Sequence, residues 1–120
     1  MRILIADDNQ LVRRGIVRLL SGEPSCEFCG EVADGSLILK TVEETRPDVV
    51  LLDVSMPGLN GLEAARLLRQ QFPNIKIVIM SQHDPQHLRP RALEAGANAC
   101  VDKARIANDL AQTIREISQA

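Results

Sequence analysis

Apolar residues along this chain follow two rhythms. Short unbroken runs, Ile3 to Ala6, Val49 to Leu52, Ile75 to Met80 and Ala99 to Val101, have the length and continuity of strands buried on both faces. A more polar run, Cys26 to Val32, predicts a fifth strand at a sheet edge. Between the runs, Val12/Ile16/Leu19/Leu20, Leu62/Ala65/Leu68/Phe72, Leu88/Ala92/Ala95 and Ile106/Leu110/Ile114/Ile117 recur at helical spacing, and a weaker helix is predicted over Ser36 to Thr45. Breakers agree with these limits: Ser21-Gly22-Glu23-Pro24 stops the first helix, Arg46-Pro47 the second, Asn60-Gly61 opens the third and Gly96 follows the fourth. The alternation predicts an α/β, doubly wound (βα)5 domain, a parallel sheet covered by helices on both sides, because each right-handed crossover returns the chain to the same sheet.

Composition narrows the class. With 120 residues, 45% apolar and 25% charged, the chain is expected to form one soluble globular domain over 1–120. No apolar run approaches a membrane span, and MRILIADD turns acidic too early for a signal peptide, so a cytoplasmic protein is expected. A net charge of -2, two Phe and no Trp or Tyr offer neither a basic footprint nor a stacking platform, so no direct nucleic acid binding is expected. Three cysteines, Cys26, Cys29 and Cys100, fit a reducing compartment better than a disulfide framework.

The polar residues matter because all strands of a parallel sheet point the same way, so the residues just after them gather at one edge. Here the first strand ends in Asp7-Asp8, the third in Asp53, the fourth in Ser81 and the fifth in Asp102-Lys103. Open α/β sheets bind ligands at that edge. Clustered aspartates repel one another unless a cation sits among them, and an oxygen-only donor set suits Mg2+ together with phosphate oxygens. An aspartate can also act as a nucleophile toward a phosphoryl group when metal and ammonium neutralise the transferring charge. Asp53, at the end of VVLLD, is placed to be that nucleophile.

The ordered set Asp7-Asp8, Asp53 with Met56-Pro57-Gly58 and Gly61, Ser81, Ala95-Gly96-Ala97 and Lys103 resembles the receiver domain of two-component response regulators over essentially the whole chain. The resemblance implies a flavodoxin-like receiver fold with strand order 2-1-3-4-5. It implies that Asp53 is the phosphoacceptor for a histidine kinase and that Asp8 and Asp53 bind Mg2+ directly. Asp7 would act mainly through water, and the Ser55 backbone carbonyl would complete the protein ligands. Ser81 would hydrogen-bond a phosphoryl oxygen, and Lys103 would pair with Asp53 or its phosphate. Movement of the Ser81 hydroxyl would then rearrange the surface of the fourth helix, fifth strand and fifth helix, which a partner reads. RALEAGA, residues 91–97, and the first helix are most similar to receivers that precede helix-turn-helix DNA-binding domains. The chain is either a fragment of such a regulator or a single-domain protein, with a downstream output domain or partner protein. The first helix, the last helix and the fourth-helix face are each candidates for a homodimer.

Several positions depart from that pattern. Cys100 stands where receivers usually carry an aromatic residue, so the aromatic half of the switch is missing. Gln82 replaces a small residue, which predicts slower or more selective phosphotransfer, and Ala104 replaces a common proline, which predicts a looser start to the last helix. Pro90 cannot donate to the Gln86 carbonyl, so the fourth helix is expected either to start late, near Arg89-Pro90, or to kink, with 82–90 irregular and mobile. Cys26-Glu27-Phe28-Cys29 is a C-x-x-C, but residues three apart on a strand face opposite ways and no second pair follows, so a structural role is expected. His83 and His87 have i, i+4 spacing but lie among prolines, and Arg13, Arg14 and Arg18 are most simply a solvated face.

Rival functions are weaker. A haloacid-dehalogenase-type phosphohydrolase needs a second acid two residues after the nucleophile, where this chain has Ser55. A flavodoxin-like nucleotide or flavin binder needs a glycine-rich phosphate loop, where this chain has ADDNQLV. The remaining alternative is a receiver-fold interaction module that no longer depends on phosphorylation, favoured by Cys100 and Gln82 and opposed by the intact acidic pocket, Ser81 and Lys103.

Overall fold

The computed structural model describes residues 1–82 and 85–119. Five parallel strands, β1 (Arg2–Ala6), β2 (Glu27–Val32), β3 (Val49–Asp53), β4 (Lys76–Ser81) and β5 (Ala99–Asp102), form one sheet in the order β2-β1-β3-β4-β5. Helices α1 (Gln10–Leu20), α2 (Ile38–Thr45), α3 (Gly61–Gln71), α4 (Pro85–Glu94) and α5 (Ile106–Ser118) alternate with them. Single 3-10 turns at Gly35–Leu37 and Lys103–Arg105 lead into α2 and α5.

Two hydrophobic layers sandwich the sheet. Ile16 and Leu20 of α1 with Leu110, Ile114 and Ile117 of α5 pack on one face, against Ile3, Ile5, Leu51 and Met80. Ile38 and Val42 of α2, Leu62, Ala65 and Leu68 of α3, and Ala92 of α4 pack on the other, against Leu4, Val50, Leu52 and Ile79. Because β3 is central, all five of its residues are buried, and its continuous apolar run follows from having helices on both sides. β2 lies at the edge, as its polar composition predicts. Its pairing with β1 shifts register between Ile3 and Leu4, skipping Cys29, which packs on the α2 side while Cys26 packs on the α1 side. The C-x-x-C is therefore split across the sheet, and all three cysteines are free.

One expectation changes. α4 does not start near Arg89-Pro90: it begins at Pro85 and contains Pro90 in its interior. A proline at the first helical position costs no hydrogen bond, since those N–H groups lack intrahelical partners in any case, so the helix nucleates before Pro90 interrupts it. The irregular stretch expected over 82–90 is thus helical from 85 onward, while 83 and 84 lie outside the described residues. Ahead of α5, Asp102 Oδ1 accepts the Ala104 N–H at 2.9 Å and caps the Lys103–Arg105 turn, a bond that proline could not make, while α5 itself has no side-chain cap.

Candidate functional site

The carboxyl ends of β1, β3, β4 and β5 open into a cleft of about 740 Å³ lined by Asp8, Asn9, Asp53, Ser55, Ser81, Gln82 and Lys103, among others. The topology alone brings these residues together, since Asp53 is paired with Met80 and Ser81 with Asp102 across neighbouring strands. Oxygens of Asp7, Asp8 and Asp53 all lie within 4.8 Å of one another. Asp7, Asp53 and Ser81 are buried, while Asp8 is exposed toward solvent.

Lys103 reaches into the acids from the end of β5. Its Nζ stands 2.7 Å from Asp7 Oδ2 and 3.2 Å from Asp53 Oδ1. Among the described residues, the close ammonium is the one polar group at buried Asp7 Oδ2, and its approach falls short of good hydrogen-bond geometry. One ammonium thus serves two carboxylates. Burial raises the Asp53 pKa and nearby Asp7 raises it further, opposed by the Ser55 N–H and by Lys103. For Lys103, burial lowers the pKa, but contact with Asp7 and the charges of Asp53 and Asp7 outweigh it and leave it raised.

The loop after β3 is built to hold Asp53 still. Val54 N–H donates to the Met80 carbonyl at 3.1 Å, and Ser55 N–H donates to Asp53 Oδ1 at 3.2 Å. Gly61 N–H donates to the Val54 carbonyl at 2.9 Å, bringing α3 so close that a Cβ on Gly61 would collide with the Asp53 carbonyl and Val54 Cα. Gly58, at φ +85°, turns the chain in a region that other residues avoid. Asn60 then caps α3, its Oδ1 accepting the Glu63 N–H at 3.0 Å.

These geometries test the candidate metal site. A buried oxygen without an aligned donor, three converging carboxylates and only hard oxygen ligands fit Mg2+. Among the described residues, no nitrogen or sulfur donor joins the group, as zinc would prefer. The second candidate pair cannot be described, because His83 lies outside the described residues.

Two roles were not legible from spacing. Asn9 caps α1 and donates its own N–H to Asp7 Oδ1 at 2.8 Å, which an Asn directly before a helix could have signalled. Arg13 is not part of a solvated face: its side chain is 14% exposed, and it donates to the Asp7 carbonyl and to Glu31. Cys100 is buried on the α4 side of the sheet, and Arg89 Nη2 donates to its carbonyl at 3.3 Å.

Residues 3–115 match the sequence profile of the response regulator receiver domain. The chain belongs to that family. DegU, a transcriptional regulatory protein of Brevibacillus brevis, is 36% identical over 119 residues, covering 99% of this chain and 50% of DegU. The response regulator GacA of Pseudomonas aeruginosa is 37% identical over 117 residues, covering 98% of this chain and 55% of GacA. This receiver therefore spans about half the length of the curated relatives it matches. A LuxR-family two-component response regulator from Aurantimonas sp. SI85-9A1 superposes with a TM-score of 0.91 at 35% identity, over 97% of this chain and 83% of that one. Receivers bind Mg2+ at an acidic aspartate cluster, and Asp7, Asp8 and Asp53 form such a group here. Among the described residues, no helix is long and apolar enough to cross a membrane.

Proposed function

We propose that this receiver, a cytoplasmic single domain over 1–120, takes a phosphoryl group from a histidine kinase onto Asp53. The observation that carries this reading is the convergence of Asp53 with Asp7, Asp8, Ser81 and Lys103 in one open cleft. Asp8, Asp53 and the Ser55 backbone carbonyl would hold Mg2+, with Asp7 acting mainly through water. Bound there, Mg2+ supplies positive charge against the phosphoryl oxygens.

The chain's own residues do the rest. An ionised Asp53 oxygen forms a bond to phosphorus as the phosphorus–nitrogen bond of the donor breaks, its electron pair returning to the donor imidazole. Lys103, already between Asp7 and Asp53, stays charged and can pair with a phosphoryl oxygen, while the Ser81 hydroxyl donates to another. Burial that raises the Asp53 pKa makes the free carboxylate costly, so converting it to an acyl phosphate whose charge lies farther out relieves part of that cost. The protein is a phosphoacceptor that assists its own phosphotransfer and acyl-phosphate hydrolysis, not an enzyme acting on a separate substrate. Its altered α4–β5–α5 surface then controls an output domain or partner protein, and through it transcription.

Cys100 supports a second reading, an interaction module independent of phosphorylation, because the aromatic residue that receivers use to relay the switch is absent. Intact mass after incubation with acetyl phosphate and Mg2+ separates the two. A phosphate adduct on the wild type, absent from Asp53→Asn and from a chelated sample, is expected. A folded protein that takes no adduct would favour the interaction module.

A further inference from the structure

The loop between β1 and α1 is held by β2 and by its own side chains. Asp7 N–H donates to the Val32 carbonyl at 2.9 Å, Asp7 Oδ1 accepts the Asn9 N–H, and Asn9 Oδ1 accepts the Leu11 N–H at 2.9 Å. The Asp7 carbonyl is held from α1: Arg13 Nη1 donates to it at 2.5 Å. Nε of the same guanidinium donates to Glu31 Oε1 at 2.9 Å, on the edge strand β2. The Asp7 carbonyl and the Asp8 N–H share one rigid peptide plane. Holding the carbonyl therefore sets the orientation of the peptide that joins the two acidic residues.

We propose that Arg13, anchored by Glu31, is a positioning residue for the divalent-cation site, holding the Asp7–Asp8 peptide so that both carboxylates converge with Asp53. This rests on reading the acidic cleft as an Mg2+ site. A planar guanidinium can meet the carbonyl and the carboxylate at once through two edges, whereas an ammonium is a single point charge. Sign distinguishes positioning from simple charge. A fixed cation beside a cation site weakens metal binding by repulsion, so deleting Arg13 for its charge alone would tighten Mg2+. Deleting it as a positioning group loosens Mg2+.

The test is calorimetric Mg2+ titration of wild type, Arg13→Ala, Arg13→Lys, Glu31→Gln and, as a control that removes the same charge from the exposed neighbour, Arg14→Ala. Losing a group that orients a metal ligand costs about tenfold in affinity or more, and about that loss is expected for Arg13→Ala. Arg13→Lys and Glu31→Gln should fall between it and wild type, and Arg14→Ala should match wild type. Acetyl phosphate needs no kinase docking, so its rate should recover in Arg13→Ala at saturating Mg2+. In the metal-free variant, the Asp8 and Asn9 amide resonances should broaden. Unchanged or tighter Mg2+ binding by Arg13→Ala overturns the proposal while leaving the cleft's function intact. If Arg13→Ala does not fold, wild-type affinity in both Arg13→Lys and Glu31→Gln overturns it equally. Wild type that binds no Mg2+ would overturn the reading of the cleft and this inference with it.

Discussion

Helices α3 and α4 cover the same face of the sheet, yet they are held in opposite ways. α3 starts on a side-chain cap at Asn60, carries Glu63 in its first turn where the helix dipole favours an acid, and buries Leu62, Ala64, Ala65 and Leu68. Its last turn is tied by Arg69, whose guanidinium donates to the carbonyls of Pro73, Ile75 and Gly96 and to Asn98 Oδ1. α4 has Pro90 in its interior, and of its described side chains only Ala92 is buried, with Leu88 partly so and Leu93 half exposed. The helix next to Asp53 therefore buries more apolar side chain than the helix that follows Ser81.

Removing core from α3 should give the largest effect. Leu68 is fully buried, so Leu68→Ala should lower unfolding free energy in urea by about 3 kcal/mol, whereas Leu93→Ala in α4 should stay within about 0.5 kcal/mol. Equal losses at the two sites would abolish the contrast. A smaller effect of opposite sign is expected at Pro90. Proline inside a helix costs about 3 kcal/mol relative to alanine, and its restriction of the unfolded chain returns up to about 1 kcal/mol, so Pro90→Ala should stabilise by about 2 kcal/mol. Amide exchange sharpens the point: α4 should exchange faster than α3 in wild type, and Pro90→Ala should narrow the gap. Exchange in wild-type α4 as slow as in α3 would count against a loosely held α4.

Much of this was legible in the sequence because strand burial and strand-end chemistry are local signals. The runs ending in Asp7-Asp8, Asp53, Ser81 and Asp102-Lys103 already placed the cleft, since a parallel sheet leaves no freedom in which strand ends meet. The late start expected for α4 did not hold, because the penalty for Pro90 is local and a helix can begin at Pro85 ahead of it, while the helix bounds do not test the kink that was the other expectation. Arg13 was missed because its partners, the Asp7 carbonyl and Glu31, become neighbours only when β2 lies beside β1. Side chains that meet across strands carry no spacing rule along the chain.

The smallest effect expected, and the most specific to the site, is electrostatic. Asp53 has a raised pKa in the folded protein, so the native state binds its proton more tightly than the unfolded chain does. The stability this contributes is fully present below the unfolded aspartate pKa of about 3.9 and is lost as pH rises through the higher native value. Lys103 is also raised, so its contribution persists below the unfolded lysine pKa of about 10.4 and is lost only as pH climbs through its native value. The two windows lie at opposite ends of the scale. Asp53→Asn removes the acid-side loss and, with chelator present, should be more stable than wild type at pH 7 but no more stable near pH 3. It should also weaken the alkaline loss, because the Asp53 charge is one cause of the Lys103 shift, though Asp7 remains to hold the ammonium. Urea titrations of both proteins across pH give the difference directly, cancelling the other carboxylates they share. A difference that does not change between acid and neutral pH would mean that Asp53 is as comfortable ionised in the fold as in water, and that phosphorylation has no buried charge to relieve.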